Sequence, residues 1–290
     1  MQTVSFIGDV REVVENARAA GRRIGFVPTM GALHAGHAAL IRQAHEEGCF
    51  VIVSVFVNPA QFNDAGDLAA YPRTLTADEA VCREAGADLV FAPEVSEIYP
   101  AGFATQVTVD SPLTKAWEGH FRPGHFAGVT TVVAKLLLIA QCDRAFFGEK
   151  DWQQLAVVRQ MVRDLAMGVA IVGSPTVRES DGLAMSSRNV RLSPEARKTA
   201  KIIPYLLDTA QDLLDSATPE TQTDKGGVIA AWLRTLLESN APDARLDYLA
   251  VVDPDTLVEV DEITNYAQVI IAVHIGGVRL IDNRKIVKRF

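Results

Sequence analysis

The continuous apolar run FVIVSVFV, Phe50–Val57, constrains the fold of this 290-residue chain more than any other feature. A run without polar alternation is typical of a strand that is buried on both faces of a parallel sheet. Similar short runs recur through about the first 175 residues, with helical segments between them. This alternation predicts an α/β fold with a Rossmann-like, doubly wound parallel sheet.

The pattern changes after Pro175, and two domains are expected. Residues 1–175 would form the Rossmann-like domain, and residues 176–290 a smaller C-terminal α+β domain that acts as a lid over the nucleotide site. In the first domain, strands are predicted at 24–27, 50–57, 88–91, 144–147 and 169–172, and helices at 36–47, 76–85, 129–139 and 151–165. In the second, helices are predicted at 195–214 and 227–239, a loop at 216–225, and strands at 246–252, 257–260 and 268–275.

The composition excludes several classes of protein. With 48% apolar and 22% charged residues the chain is not disordered, and its net charge of −8 argues against a nucleic-acid partner. Cys49, Cys82 and Cys142 form no CxxC pair, so we expect buried thiols and neither a zinc site nor a disulfide framework. The N-terminus shows no apolar core of the kind a signal peptide has, so no signal peptide is expected, and the apolar stretch Val129–Ala140 is too short to span a bilayer. A cytoplasmic protein without a membrane partner is expected.

The segment PTMGALHAGH, Pro28–His37, predicts a phosphate site. A strand ends, Gly31 allows a tight turn, and a helix begins near Gly36, where backbone N–H groups favour an anion. His34 and His37 lie three residues apart, so both can donate to one phosphate as charge develops on it. Two histidines without a function near a turn, or a metal-binding pair, remain the alternatives.

Two further segments are suited to a nucleotide. In FFGEKDWQQL, a strand leads into a polar turn, where Lys150 suits phosphate and Gln154 suits a small polar substrate. In MSSRN, Met185–Asn189, two hydroxyls and a guanidinium could close over a triphosphate and neutralise departing pyrophosphate. A capped helix with a surface lysine and a solvated linker are the respective alternatives.

Two smaller segments fall at the same predicted edge of the sheet. VNPAQF places Asn58 and Gln61 after the buried strand, and GHFRPGHFAGV places Arg122 and His125 in a Gly/Pro loop before a helix. The chain contains no P-loop, GxGxxG or G-x-S-x-G motif. Jointly, these segments predict a nucleotide-binding enzyme.

These segments also identify a family. PTMGALHAGH, VNPAQF, DLAAYPRTL, EGHFRPGHFAGV, FFGEKDWQQL and Val177–Asn189 occur in the order found in pantothenate synthetases, and LDYLAVVDPDTL and RLIDN resemble that family too. The resemblance implies that ATP and (R)-pantoate give a pantoyl adenylate and pyrophosphate, and that β-alanine then displaces AMP. An adenylate is a mixed anhydride with a good leaving group, so no covalent nucleophile is needed.

The resemblance also assigns residues, with His37 as the catalytic acid. It implies catalytic roles for His37, His34, Lys150 and Arg188. ATP would contact Met30, Gly31, Ala32, Leu33, His34, Ala35, Gly36, His37, Gly148, Glu149, Lys150, Asp151, Val177, Met185, Ser186, Ser187 and Arg188. The resemblance places Gln61 and Gln154 on pantoate, with Gln61 also meeting β-alanine, and Asn58, Arg122 and His125 are predicted to bind the same two substrates. Magnesium is expected between phosphates, with Asp78 a candidate ligand only, and a homodimer is expected.

Three alternatives stay open. One is another HxGH nucleotidyltransferase that moves a nucleotide onto a phosphate. A second is a fragment related to class I tRNA synthetases, against which the acidic charge and the lack of room for an anticodon-binding domain count. The third is a catalytically silent nucleotide-binding protein, which loss of a motif histidine or of Lys150 would mark; all of these residues are present.

Overall fold

Short apolar segments pair into a six-stranded sheet, parallel throughout, in the computed structural model, which describes residues 1–63 and 65–289. The chain divides into two compact units. The first unit comprises residues 1–149 and 153–177, and the second comprises Lys150–Trp152 and the residues from 178 onward.

The first unit contains the parallel sheet and most of the helices. Its strands are β1 (Gln2–Val4), β2 (Ile24–Thr29), β3 (Phe50–Val55), β4 (Leu89–Phe91), β5 (Arg144–Gly148) and β6 (Ala170–Ser174). Its helices are α1 (Ile7–Ala19), α2 (Ala35–Glu46), α3 (Ala65–Ala69), α4 (Leu75–Ala85), α5 (Val95–Ile98), α6 (Pro112–Lys115), α7 (Glu118–Phe121), α8 (His125–Ala140) and α9 (Trp152–Asp164). Helix α9 begins on the last residue of the inserted segment Lys150–Trp152. The predicted Rossmann-like sheet is confirmed.

The sheet is buried on both faces, as its sequence predicts. Alternate strand residues face opposite sides, so that Ile52 joins one apolar cluster while Val51 and Val53 join the other. Helices α1, α8 and α9 contribute to the first cluster, and α2 and α4 to the second. All three cysteines are buried, and burial raises the pKa of the Cys82 and Cys142 thiols to about 12. The expectation of buried thiols is confirmed.

The strand order, β1-β4-β3-β2-β5-β6, creates a switch point. From β2 the chain adds β3 and β4 on one side, and later β5 and β6 on the other. Ligands of open α/β sheets bind beyond the carboxyl ends of the strands at such a point. The carboxyl ends of β3, β2 and β5 are therefore neighbours, and each leads directly into one of the segments singled out above.

The second unit is α+β, as predicted. Its helices are α10 (Pro194–Ala200), α11 (Ile202–Asp215) and α12 (Gly226–Asn240), and its antiparallel strands are β7 (Arg245–Val252), β8 (Tyr266–Ile275) and β9 (Val278–Val287). Within the described residues these strands form a three-stranded sheet in the order β7-β8-β9. Helices α11 and α12 pack on it around one apolar core.

Two predictions for this unit are wrong in detail, and one strand was missed. The single helix expected over 195–214 is two helices, because Pro204 lacks the N–H that would bond back to Ala200 and so cannot continue α10. The strand expected over 257–260 is one isolated bridge between Val252 and Glu259. Leu257 there has a φ of +57°, outside the β region. Strand β9 was not predicted.

No helix among the described residues has both the length and the apolar character required to cross a membrane.

Candidate active site

The turn after β2 is held by a buried carboxylate. Asp78 is 2% exposed and accepts hydrogen bonds from the backbone N–H groups of Ala32, at 3.2 Å, and Leu33, at 2.7 Å. Thr74 donates its hydroxyl to the same carboxylate. Gly31 has a φ of +82° and Ala32 a φ of +51°, a conformation that costs a non-glycine residue energy. Asp78 therefore stabilises a strained turn immediately before the two histidines.

Asp78 does not fit the role of a metal ligand that the sequence allowed as a candidate. Both carboxylate oxygens already accept from backbone N–H groups, and a metal ion would compete with those donors. Within residues 1–63 and 65–289, no group of three or more His, Cys, Asp or Glu side chains is arranged to hold a metal ion. We therefore assign Asp78 to the turn.

Replacing Asp78 by asparagine should lower both stability and activity. The amide can accept only one of the two N–H groups, and its NH₂ then faces the other donor inside the protein. One unsatisfied buried donor costs roughly 1–3 kcal/mol. Urea denaturation should show that loss, whereas Glu79→Gln, one residue along the same helix, should change stability little. A variant of Asp78 as stable as the wild type would contradict the assignment.

His34 and His37 cap helix α2 reciprocally. His34 Nδ1 accepts from the Gly36 N–H at 3.2 Å, and His37 Nδ1 accepts from the His34 N–H at 3.3 Å. An accepting Nδ1 carries no proton, so each neutral ring carries its proton on Nε2. The ring centroids are 4.1 Å apart. The structure thus brings the two histidines together at a helix N-terminus, and their role as donors to a phosphate stays a prediction.

The turn after β3 brings three more predicted residues together. Asn58, 1% exposed, caps the short 3-10 turn Pro59–Gln61 by accepting from the Ala60 N–H. Its amide NH₂ donates to Gln61 Oε1 at 3.1 Å and to the Gly128 carbonyl at 3.2 Å. Gln61 Nε2 in turn donates to the Met30 sulfur. Met30, from the turn after β2, thereby contacts the residue predicted to bind pantoate.

Arg122 and His125 support the main chain of Gln61. His125 Nδ1 lies 2.9 Å from the Gln61 carbonyl and Arg122 Nη2 lies 3.3 Å from it. Since a carbonyl only accepts, His125 carries its proton on Nδ1, and its Nε2 accepts from Arg122 at 3.0 Å. The sequence placed His125 in a loop before a helix, whereas it is the first residue of α8. A direct contact of either residue with pantoate or β-alanine stays a prediction.

A close approach of α8 makes this arrangement possible. A Cβ at Gly128 would lie 2.2 Å from the Ala60 carbonyl oxygen and 2.9 Å from Gln61 Cα. No side chain fits at that position, so glycine is required for the helix to touch the turn.

The segment after β5 divides between the two units. Strand β5 ends at Gly148, and Glu149, which begins the short 3-10 turn Glu149–Asp151, still belongs to the first unit. In that unit Gln154 is half-buried on α9, and Val177 is the last residue. Lys150 and Asp151 belong to the second unit, where the Asn283 side chain donates to the Lys150 carbonyl at 2.8 Å. Gln268 donates to Asn283 Oδ1 at 2.6 Å. The backbone of Lys150 is thus held independently of its ammonium group.

In the second unit, Met185–Arg188 lies in a tightly bonded loop. The Glu179 N–H donates to the Leu183 carbonyl at 2.8 Å, and the Arg188 N–H donates to the Ser186 hydroxyl. The Asn189 amide donates to Glu179 at 2.6 Å and to the Ala184 carbonyl at 3.0 Å. The residues on both sides of the predicted donor-rich loop are therefore held in place by hydrogen bonds.

Arg197 of α10 holds the residues that precede this loop, and the sequence patterns did not indicate such a role for it. Its guanidinium bonds to Asp181 at two distances of 2.8 Å and to Glu179 at 2.8 and 3.3 Å. Hydrogen bonding to Arg197 lowers the pKa of both carboxyl groups, and the two carboxylates raise the pKa of Arg197. The sequence signal was weak, since an arginine three residues after a helix start is ordinarily exposed.

Replacing Arg197 by methionine should loosen the loop. The change keeps the length of the side chain and removes every donor to Glu179 and Asp181. Hydrogen exchange of the amides of residues 179–189 should become at least about tenfold faster, while α12 keeps its protection. Lys198→Met, an exposed neighbour on the same helix, is the matched control. Unchanged exchange in the Arg197 variant would show that other contacts hold the loop.

Acid should have the same effect on the wild type. The pKa values of Glu179 and Asp181 are lowered in the folded protein, so their stabilisation is fully present above the ordinary values of 4.5 and 3.8. It is lost as the pH falls below those values toward the folded ones. Protection of residues 179–189 should therefore fall below about pH 4.5 in the wild type, with a weaker dependence in the methionine variant.

The chain is similar over its whole length to known ligases. The family model described as pantoate-beta-alanine ligase matches residues 2–285. A pantothenate synthetase of Thermus thermophilus is 50% identical, covering 99% of each chain, and one of Rhizorhabdus wittichii is 48% identical, covering 98% of each.

Solved structures agree with the sequence comparison. A crystal structure of pantothenate synthetase from Thermus thermophilus superimposes with a TM-score of 0.90 at 48% identity, covering 98% of this chain and 99% of that one. A pantoate-beta-alanine ligase from Francisella tularensis, solved with beta-gamma ATP and beta-alanine, has a TM-score of 0.79 at 34% identity, with 99% and 98% covered. The chain belongs to the pantoate–β-alanine ligase family.

Proposed function

We propose that this ligase condenses (R)-pantoate with β-alanine at the expense of ATP. In the first step a pantoate carboxylate oxygen attacks the α-phosphorus of ATP, the bond to pyrophosphate breaks, and pantoyl adenylate forms. In the second step the β-alanine amine attacks the acyl carbon, AMP leaves, and the amine loses a proton. The neighbouring carboxyl ends of β2, β3 and β5, each followed by a polar segment, are the observation that carries this proposal.

The roles of the residues follow from their chemistry. His34 and His37 present Nε2–H donors at a helix N-terminus, which favours charge that develops on the α-phosphate. Lys150, Ser186, Ser187 and Arg188 supply positive charge and donors for the departing pyrophosphate. Gln61 and Gln154 hold pantoate, and Gln61 also meets β-alanine. Positioning and donors are sufficient, because adenylation itself activates the carboxylate.

Magnesium enters this proposal with the nucleotide, on the phosphates of ATP. No residue of this chain is assigned to hold it, since Asp78 is engaged with the turn. We further propose that the protein acts in the cytoplasm and that it is a homodimer, as the family resemblance implies.

The decisive experiment is a coupled assay of AMP release in which each substrate is omitted in turn. AMP should form only with ATP, pantoate and β-alanine together, and pantoate alone should support pyrophosphate exchange into ATP. Exchange that depends on nicotinamide mononucleotide or phosphopantetheine would support another HxGH nucleotidyltransferase. No exchange with any of these would support a silent nucleotide-binding protein.

A further inference from the structure

Tyr99, immediately after α5, donates a hydrogen bond toward the substrate turn. Its hydroxyl lies 2.8 Å from Asn58 Oδ1. The ring packs against Phe103 and Phe56, with centroid distances of 5.1 and 6.2 Å. Burial raises the pKa of Tyr99 to about 12, so the hydroxyl keeps its proton at neutral pH. Tyr99 is therefore a permanent donor to Asn58.

This donor is one of four contacts that favour a single orientation of the Asn58 amide. Asn58 Oδ1 receives two donors, the Tyr99 hydroxyl and the Ala60 N–H. Its NH₂ faces two acceptors, Gln61 Oε1 and the Gly128 carbonyl. A reversed amide would place its NH₂ against the Ala60 N–H and its oxygen against the Gly128 carbonyl, in a residue that is 1% exposed. The orientation of Asn58 is thus determined by its neighbours.

The orientation of the Asn58 amide in turn determines the orientation of the Gln61 amide. Because the Asn58 NH₂ donates to Gln61 Oε1, the Gln61 amide must present its own NH₂ on the other side. There it donates to the Met30 sulfur, and a thioether is only a weak acceptor. A hydroxyl or carboxylate oxygen of a substrate is a much stronger acceptor for this buried donor.

We propose that Tyr99 is a positioning residue, which acts through Asn58 to keep the Gln61 NH₂ directed at an oxygen of the pantoate substrate. This inference rests on the proposed function, since it deepens the role of Gln61. Tyr99 itself contacts no substrate in this proposal. Through Gln61, its hydroxyl favours the binding of an acyl substrate that has an acceptor oxygen opposite the Gln61 NH₂. It has no part in binding ATP.

Tyr99→Phe tests the proposal, because it removes one oxygen atom and keeps the ring. The net value of one hydrogen bond is about 0.5–1.5 kcal/mol, which corresponds to a rise of roughly two- to thirteenfold in the KM for pantoate. The KM for ATP and the melting temperature should stay close to those of the wild type. Phe103→Leu is the matched control, since it disturbs the same ring cluster without removing a hydroxyl.

Asn58→Asp tests the path of the effect. An aspartate places an oxygen opposite Gln61 Oε1 and has no NH₂ group. Tyr99 can therefore no longer orient the Gln61 amide through this residue. Adding Tyr99→Phe to this variant should change the KM for pantoate less than twofold, which a double-mutant cycle measures as strong coupling.

The outcomes separate this inference from the proposed function. A wild type without pantoate-dependent exchange overturns the proposed function. Given an active wild type, an unchanged KM for pantoate in Tyr99→Phe overturns the role of Tyr99. Equal rises in the KM values for pantoate and ATP, or a matching effect of Phe103→Leu, would show a general packing role and overturn it as well.

Discussion

Replacing His37 by alanine should slow adenylate formation at least about 100-fold while the protein stays folded. The substitution removes one of the two Nε2–H donors at the start of α2. Such a donor acts on charge that develops only in the transition state, so its loss lowers the rate of the chemical step. Pyrophosphate exchange into ATP with pantoate present measures that rate directly.

Two conservative variants distinguish the two roles of the His37 ring, which are to cap the helix and to donate to the phosphate. Asparagine can retain the Nδ1-like acceptor that caps the His34 N–H, and glutamine can retain a donor near the position of Nε2. If the donor matters, His37→Gln should keep more activity than His37→Asn, which offers an acceptor to the His34 N–H but no donor near the position of Nε2. The opposite ranking would mean that His37 serves the helix and not the phosphate.

His45→Ala provides the control for this series. His45 is exposed and lies in the last turn of the same helix, at the opposite end from His34. Its replacement should leave exchange within about twofold of the wild type. Wild-type exchange in His37→Ala would remove His37 from the proposed mechanism.

Replacing Lys150 by alanine should reduce adenylate formation by a similar factor, at least about 100-fold. The ammonium group is a point charge for phosphate, and no other part of this residue is needed for the chemistry. Because Asn283 bonds the backbone carbonyl of Lys150, removal of the side chain leaves that contact in place. Circular dichroism and thermal unfolding should therefore be those of the wild type.

Two further variants test whether the effect is specific to the ammonium group of Lys150. Lys198→Ala removes an exposed lysine of α10 and should leave the exchange rate unchanged. Lys150→Arg keeps the charge but changes the geometry of the donors, so it should recover only part of the rate. Full activity in Lys150→Ala would show that the residue is a surface lysine beside a capped helix.

Local patterns predicted most of the first unit. The run at Phe50 forms β3, and Gly86 ends α4 in the left-handed conformation with a φ of +95°. These features depend on residues that are near each other in the chain, so a window of sequence contains the physical cause. The helix break at Lys201 was missed although Pro204 marks it, because the apolar periodicity continues across the break.

The candidate site could be predicted only in part. The histidines and Gln61 stand in segments whose residue types indicate their chemistry. The residues that support these side chains do not stand in such segments. Tyr99 lies 41 positions from Asn58, and Asp78 lies 45 positions from Leu33. An aspartate in a helix and a tyrosine after a short one have no local feature that distinguishes them from surface residues.

The sequence by itself determined the parallel sheet, the order of its motifs and the kinds of donors offered to a nucleotide, since burial and turn formation follow from neighbouring side chains. Only the tertiary structure decided how those donors are oriented: which ring nitrogen carries the proton, which way each amide points and which carboxylate holds a turn. The reason is physical. A hydrogen bond depends on the direction and distance between two groups, and the fold sets both for groups that are far apart in the chain.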